Sequence, residues 1–279
     1  MEIGKYSIDL VQTGHFGLDG GAMFGVVPKP LWEKHIPADE KNRIILGARM
    51  PVLRSGSRTI LIDTGIGEFW DDKFEEIYAV DHSQHDLFSS LKSVNVKPEE
   101  VTDVILTHLH FDHTGGSVIR ENGKWLPAFP NAKYHINKKQ FDWAKEPSFK
   151  DKASFAQERF LPLAKEGLVS YFEGDTFLDD EIELLEANGH TFGHVVVKLK
   201  DSSNSYLFCS DLIPTAAHVP LPYLMGFDLQ PVLTVEEKTR FLKHALEENT
   251  TLLFQHDTVY AGATLKSGSK GIETDKLFR

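Results

Sequence analysis

Short apolar runs alternate with amphipathic stretches along the chain. The runs at 44–53, 59–62, 104–107, 182–187, 195–199, 206–209 and 251–254 are rich in β-branched or aromatic residues and read as strands. Helical signals lie between them. Thr234, with Glu237 three residues later, predicts a capped helix start, and Phe241, Leu242, Ala245 and Leu246 share one face of that helix. A charged region at 137–165 carries Phe141, Trp143, Phe155 and Phe160, and reads as a helical insertion that covers a core or a partner. The Gly-rich stretch 14–30, with Phe16, Met23 and Phe24, is too apolar for a solvated loop and reads as a segment packed over a site. Strands mixed with helices throughout predict a layered α/β architecture. Without a repeat, a low-complexity tract or a linker, one continuous domain over residues 1–279 is expected.

Composition narrows the partners. Hydrophobic residues make up 41% and charged residues 25%, which supplies a globular core and excludes a disordered or coiled-coil chain. The formal net charge of −11 repels phosphate backbones and anionic lipid, so neither nucleic acid nor membrane is expected as a partner. Cys209 is the one cysteine, which rules out an intrachain disulfide and a thiolate cluster. It reads as a small buried hydrophobe. Any metal must then sit on histidine, carboxylate or water. No basic leader and no apolar run of about 18 residues is visible, and the expected location is cytoplasmic.

The chemistry concentrates at 101–116, V-T-D-V-I-L-T-H-L-H-F-D-H-T-G-G. A buried strand leads into His108, His110, Asp112 and His113, and with 13 histidines in the chain this spacing is rare by chance. Residues i and i+2 of an extended segment face the same way, so His108 and His110 can grip one cation, while Asp112 and His113 lie one turn on and can reach a second. His190, Asp211 and His256 each follow an apolar strand, as does Asp63. Strand ends at one sheet edge are where α/β proteins gather their site residues. His194 reads as a structural histidine rather than a further ligand.

The run His108-Leu109-His110-Phe111-Asp112-His113, with Gly189-His190-Thr191 and with Asp211 and His256 at strand ends, resembles the metallo-β-lactamase superfamily. The resemblance implies a four-layer αββα sandwich with two divalent metal ions, zinc first and manganese, iron or cobalt as alternatives. It places His108, His110 and His190 on one ion, Asp112, His113 and His256 on the other, and Asp211 on both. Asp63, in Ile62-Asp63-Thr64-Gly65, matches the aspartate that orients a ligating histidine. His110 stands where flavodiiron proteins carry a carboxylate, which disfavours redox iron chemistry. No basic cluster of the glyoxalase II or RNA-processing kind is present.

Within the superfamily the stretches 20–28 and 211–218 look most like N-acyl homoserine lactone lactonases, and also like methyl parathion hydrolases, which cleave phosphotriesters. Many such lactonases carry a tyrosine three residues after the bridging aspartate; Pro214 stands there in this chain. The implied mechanism lowers the pKa of a metal-bridging water, with Asp112 as general base and then general acid, and needs no serine or cysteine nucleophile. The expected substrate is a small lactone, with phosphotriesters or aryl esters as the alternative and a non-catalytic metal-binding sensor as a third reading. Phe24, His218 and Tyr223 either line the substrate pocket or pack as ordinary core, and His218 or Tyr223 could replace the missing tyrosine. Related lactonases suggest a homodimer, with 137–165 as the contact surface.

Overall fold

Each apolar run read as a strand forms one in the computed structural model, which describes residues 1–279, with ends shifted by a residue or two. The chain divides into two compact units, Met1–His15 with Ala48–Gly174 and Phe16–Gly47 with Asp175–Arg279. The first sheet holds strands β1 (Glu2–Ile3), β2 (Tyr6–Asp19), β3 (Arg43–Ser55), β4 (Arg58–Ile62) and β5 (Asp103–Leu106). A small hairpin of β6 (Val118–Glu121) and β7 (Lys124–Pro127) follows, and β8 (Lys133–Asn137) and β9 (Val169–Phe172) complete the sheet in the order β1-β2-β3-β4-β5-β8-β9. From β4 through β9 the pairings are parallel. Strands of a parallel sheet are covered on both faces and read as continuous apolar runs, which is why all four residues of β5 are buried.

The core of the first unit forms around Val104, Leu106, Tyr134 and Ile136, packed against Leu87, Leu91, Phe141 and Phe160. The second sheet runs in order through β10 (Thr176–Asp179), β11 (Ile182–Ala187), β12 (His194–Lys200), β13 (Ser205–Phe208), β14 (Thr251–Leu253), β15 (Gly262–Gly268) and β16 (Gly271–Phe278). Its pairings are antiparallel except for β13 with β14, where Phe208 pairs with Leu253 in parallel register. The helix Pro231–Glu247 lays Phe241, Leu242 and Ala245 on the core formed by Val196, Leu207, Leu252 and Phe254. No helix is long and apolar enough to cross a membrane.

One local reading needs correction, and two gain detail. The last helix begins at Pro231, not at Thr234, because proline at the first helical position needs no N–H partner and its φ is already helical. Thr234 lies inside that helix, its hydroxyl donating to the Gln230 carbonyl, and Glu237 turns outward to the chain before His190. In the region 137–165 the structure has a helix over Lys138–Lys145, two 3-10 turns and a short helix over Leu161–Lys165. Pro147 disfavours helical backbone at Glu146 and stops the first of these. Residues 14–19 continue strand β2, and Asp19 then caps the helix Gly20–Phe24 by accepting from the Ala22 N–H.

At the start of β5, Asp103 binds three neighbours. Arg58 Nε donates to it at 2.9 Å, His135 Nε2 at 2.7 Å and the Thr102 hydroxyl at 2.8 Å. Burial disfavours the charged carboxylate, but the donors from His135, Arg58 and Thr102 outweigh it and hold Asp103 far below the usual carboxylate range. A carboxyl with a depressed folded-state pKa stabilises fully above its unfolded value of about 4, and the stabilisation is lost as pH falls below that. Asp103→Asn is therefore expected to cost about 1–3 kcal/mol at pH 7, with the gap to the parent narrowing toward pH 3 in urea unfolding. A gap of equal size at both pH values would contradict this role.

Candidate functional site

Each unit carries its own group of donors. In the first, β4 and β5 run in parallel register, Ile62 beside Ile105, so the residues after them emerge at the same end. Asp63 takes a left-handed backbone conformation (φ 62°) and donates its N–H to the Ile105 carbonyl. That bend aims the carboxylate back at β5. Its Oδ1 accepts from the Thr107 N–H at 2.7 Å, and its Oδ2 accepts from the Thr107 hydroxyl at 2.8 Å and from His113 Nδ1 at 2.9 Å. The side chain is fully buried, and these three donors satisfy a charge that would otherwise be costly to bury. With Nδ1 occupied, His113 presents Nε2 to its surroundings.

His110 sits at the cap of the short helix Phe111–Thr114 with extended backbone, which carries the chain from strand to helix between the ligand candidates. His108 Nε2 and His110 Nδ1 lie 3.0 Å apart, and the His108 and His113 ring centres are separated by 3.8 Å. His113 Nε2 is 3.5 Å from Asp112 Oδ2. His108, His110, Asp112 and His113 are all buried, so four donor side chains converge away from bulk water.

The turn after His113 is pressed against the loop after Asp63. Thr64 donates both N–H and hydroxyl to the His113 carbonyl, each at 2.9 Å. A Cβ on Gly115 would lie 1.7 Å from the Ile66 carbonyl oxygen, and one on Gly67 would lie 2.2 Å from the Gly115 carbonyl. Only glycine permits that approach.

In the second unit the parallel pair β13 and β14 delivers Asp211 and His256 to one end, and β11, which runs the same way as β13, delivers His190. Ser210 adopts a left-handed conformation (φ 47°) and turns Asp211 inward. His190 Nε2 stands 3.2 Å from Asp211 Oδ2, and His256 Nε2 stands 2.9 Å from Asp211 Oδ1. One carboxylate thus meets a different imidazole at each oxygen. His190 Nδ1 donates to Asp228 Oδ1 at 2.9 Å, and His256 Nδ1 donates to the Gly47 carbonyl at 2.7 Å. Burial works against the imidazolium of His190, but Asp211 and Asp228 together push it up to about 9. The Glu237 carboxylate accepts from the N–H groups of Asn188 and Gly189 at 2.7 and 2.9 Å and so fixes the segment leading to His190.

Asp228 is not among the residues singled out from the sequence, and Glu237 is singled out there only as part of a helix start. Asp228 follows no strand and belongs to no motif, and Glu237 carries the signal of a helix cap. Of the other named residues, Phe24 and His218 are buried and stacked, with ring centres 4.5 Å apart. His218 Nε2 donates to the Met23 carbonyl and Nδ1 accepts from the Thr215 hydroxyl, and burial lowers its pKa to about 3. Tyr223 packs edge-on against Phe24. Pro214 offers its carbonyl to the His256 N–H at 2.9 Å. Cys209 is buried, and burial pushes its thiol pKa well up.

Imidazole and carboxylate are the donors a borderline or hard divalent cation takes. The structure gathers donors of just these two types, His108, His110, Asp112 and His113 in one unit and His190, Asp211 and His256 in the other. In each unit the ring nitrogen opposite the candidate ligand atom is occupied at His113, His190 and His256 by a carboxylate or a backbone carbonyl, which fixes the tautomer.

Comparisons with known proteins agree. The metallo-beta-lactamase superfamily profile matches residues 52–264. An N-acyl homoserine lactonase from Bacillus cereus is 27% identical over 218 residues, which span 74% of this chain and 79% of that protein. Among solved structures, a probable metal-dependent hydrolase from Staphylococcus aureus superposes with a TM-score of 0.91 at 26% identity, over 100% of this chain and 98% of that one. AidC, a dizinc quorum-quenching lactonase in complex with a product, superposes with a TM-score of 0.80 at 20% identity, over 99% of this chain and 95% of that one. With the histidine and aspartate donors at its strand ends, the chain belongs to the metallo-β-lactamase superfamily, and the fold expected from its motifs is that family's α/β fold.

Proposed function

We propose that this chain is a hydrolase that opens the lactone ring of N-acyl homoserine lactones with the help of two divalent cations, zinc being the first choice. One observation carries the reading: Asp211 meets His190 at one carboxylate oxygen and His256 at the other. A carboxylate arranged in this way suits two cations rather than one. The lactone class is supported by the Bacillus cereus lactonase, which aligns over most of its length, and by AidC.

In this reading His108, His110 and His190 hold one ion, Asp112, His113 and His256 the other, and Asp211 both. When bound, the ions lower the pKa of a water toward neutrality and polarise the ester carbonyl. The protein's own residues do the rest. Asp63 and Asp228 keep the His113 and His190 rings in the tautomer that leaves Nε2 as donor atom. Asp112, at the first turn of the helix Phe111–Thr114, takes the proton of the attacking water and returns it to the leaving alkoxide. The product is a ring-opened hydroxy acid.

A second reading keeps the same residues and changes the substrate to a phosphotriester or aryl ester. It is favoured by Pro214, which offers a backbone carbonyl and no hydroxyl where many of the lactonases it resembles carry tyrosine. Turnover of short- and long-chain N-acyl homoserine lactones, a paraoxon-like triester and an aryl ester by the zinc-loaded protein separates the two. Fast lactone opening is expected, and triester turnover without lactone opening would select the second reading. Asp112→Asn is expected to lower kcat by about 10²- to 10⁴-fold with KM within a few-fold; unchanged kcat in the metal-loaded variant would remove Asp112 from proton transfer. Asp228→Asn is expected to weaken zinc binding by about 10- to 100-fold in chelator competition, and an affinity equal to the parent's would show that Asp228 does not orient His190.

A further inference from the structure

Arg159 ends a 3-10 turn in the first unit and is fully buried. Its guanidinium lies between two indoles, 4.0 Å from the Trp70 ring centre and 4.1 Å from that of Trp125. Nη1 donates to the Gly115 carbonyl at 3.4 Å, while Nε and Nη2 have no hydrogen-bond partner. A buried guanidinium without a bonded carboxylate is costly, and the two aromatic faces offset only part of that cost. Packing alone is served better by leucine or methionine, so the charge and the planar shape need another reason.

The surroundings supply one. Trp70 Nε1 donates to the Ile66 carbonyl at 2.8 Å, and that same carbonyl presses on Gly115, the residue whose oxygen Arg159 holds. Guanidinium, Trp70, the Ile66 carbonyl and Gly115 therefore form a closed circuit. One side of it is the loop that begins at Asp63, and the other is the turn that leaves His113. Asp63 and His113 must meet with hydrogen-bond precision, and the circuit lies two or three residues beyond each.

We propose that Arg159 is a positioning residue for the metal-ligand run: clamped between Trp70 and Trp125, it locks the Gly115 turn against the Ile66 loop and so keeps His113 in register with Asp63. This inference rests on the dinuclear reading above. A lysine ammonium at this position lacks the flat surface that can meet two indoles at once.

The test separates positioning from stability. Arg159→Met removes a buried charge and retains the volume, so thermal unfolding of the metal-free variant should occur at or above the parent's temperature. Cobalt(II) binding, followed by its d–d absorption and by chelator competition, should weaken about tenfold or more, with an altered band shape. Cobalt affinity within twofold of the parent, with the same spectrum, would overturn the proposal, whatever happens to the unfolding temperature. If Arg159→Met does not fold, Trp125→Leu removes one indole face and is read by the same two criteria. A parent protein that takes up no cobalt overturns the dinuclear reading itself and this proposal with it; a parent that binds and a variant that binds equally well overturns only the role of Arg159.

Discussion

The buried carboxylate of Asp63 organises the first donor group. It accepts from the backbone and hydroxyl of Thr107 and from the ring of His113, and it does so from a left-handed backbone conformation. Aspartate tolerates that conformation better than most residues, and the strain is of the order of 1–3 kcal/mol. Three buried hydrogen bonds to an ionised acceptor outweigh it. If Asp63 were lost, the end of β5 and the turn carrying Asp112 and His113 would lose their shared anchor together.

The second donor group follows from the sheet. A parallel pair sends two strand ends to the same edge, and β13 with β14 is the one parallel pair in a sheet that is otherwise antiparallel. The crossover between them is the helix Pro231–Glu247, the same element from which Glu237 holds the backbone ahead of His190. One structural device thus sets Asp211 and His256 side by side and steadies the third member. Gly189 lies so close to that helix that a Cβ would reach within 2.6 Å of the Thr234 backbone, which explains glycine there in terms of space rather than flexibility.

How much of this is legible in the sequence depends on how local each feature is. The strand Asp103–Leu106 shows as an apolar run because burial on both faces leaves no exposed position to interrupt Val104, Ile105 and Leu106. The run from His108 to His113 is legible because its donors are a few residues apart. Asp228 is not, because its partner lies 38 residues away and nothing in its own neighbourhood requires a carboxylate. Glu237 misleads, because a carboxylate three residues after a threonine is also how a helix start is written. The closed circuit around Gly115 draws on Ile66, Trp70, Trp125 and Arg159, and no local spacing connects them.

The most direct measurement is the number of metal ions retained per chain by the zinc-loaded protein after exhaustive dialysis, compared with Asp211→Asn. Two ions per chain are expected for the parent, with loss of at least one in the variant, since His190 and His256 share that carboxylate. A single ion or none in the parent, or two in the variant held as firmly as in the parent, would contradict a dinuclear centre built on Asp211.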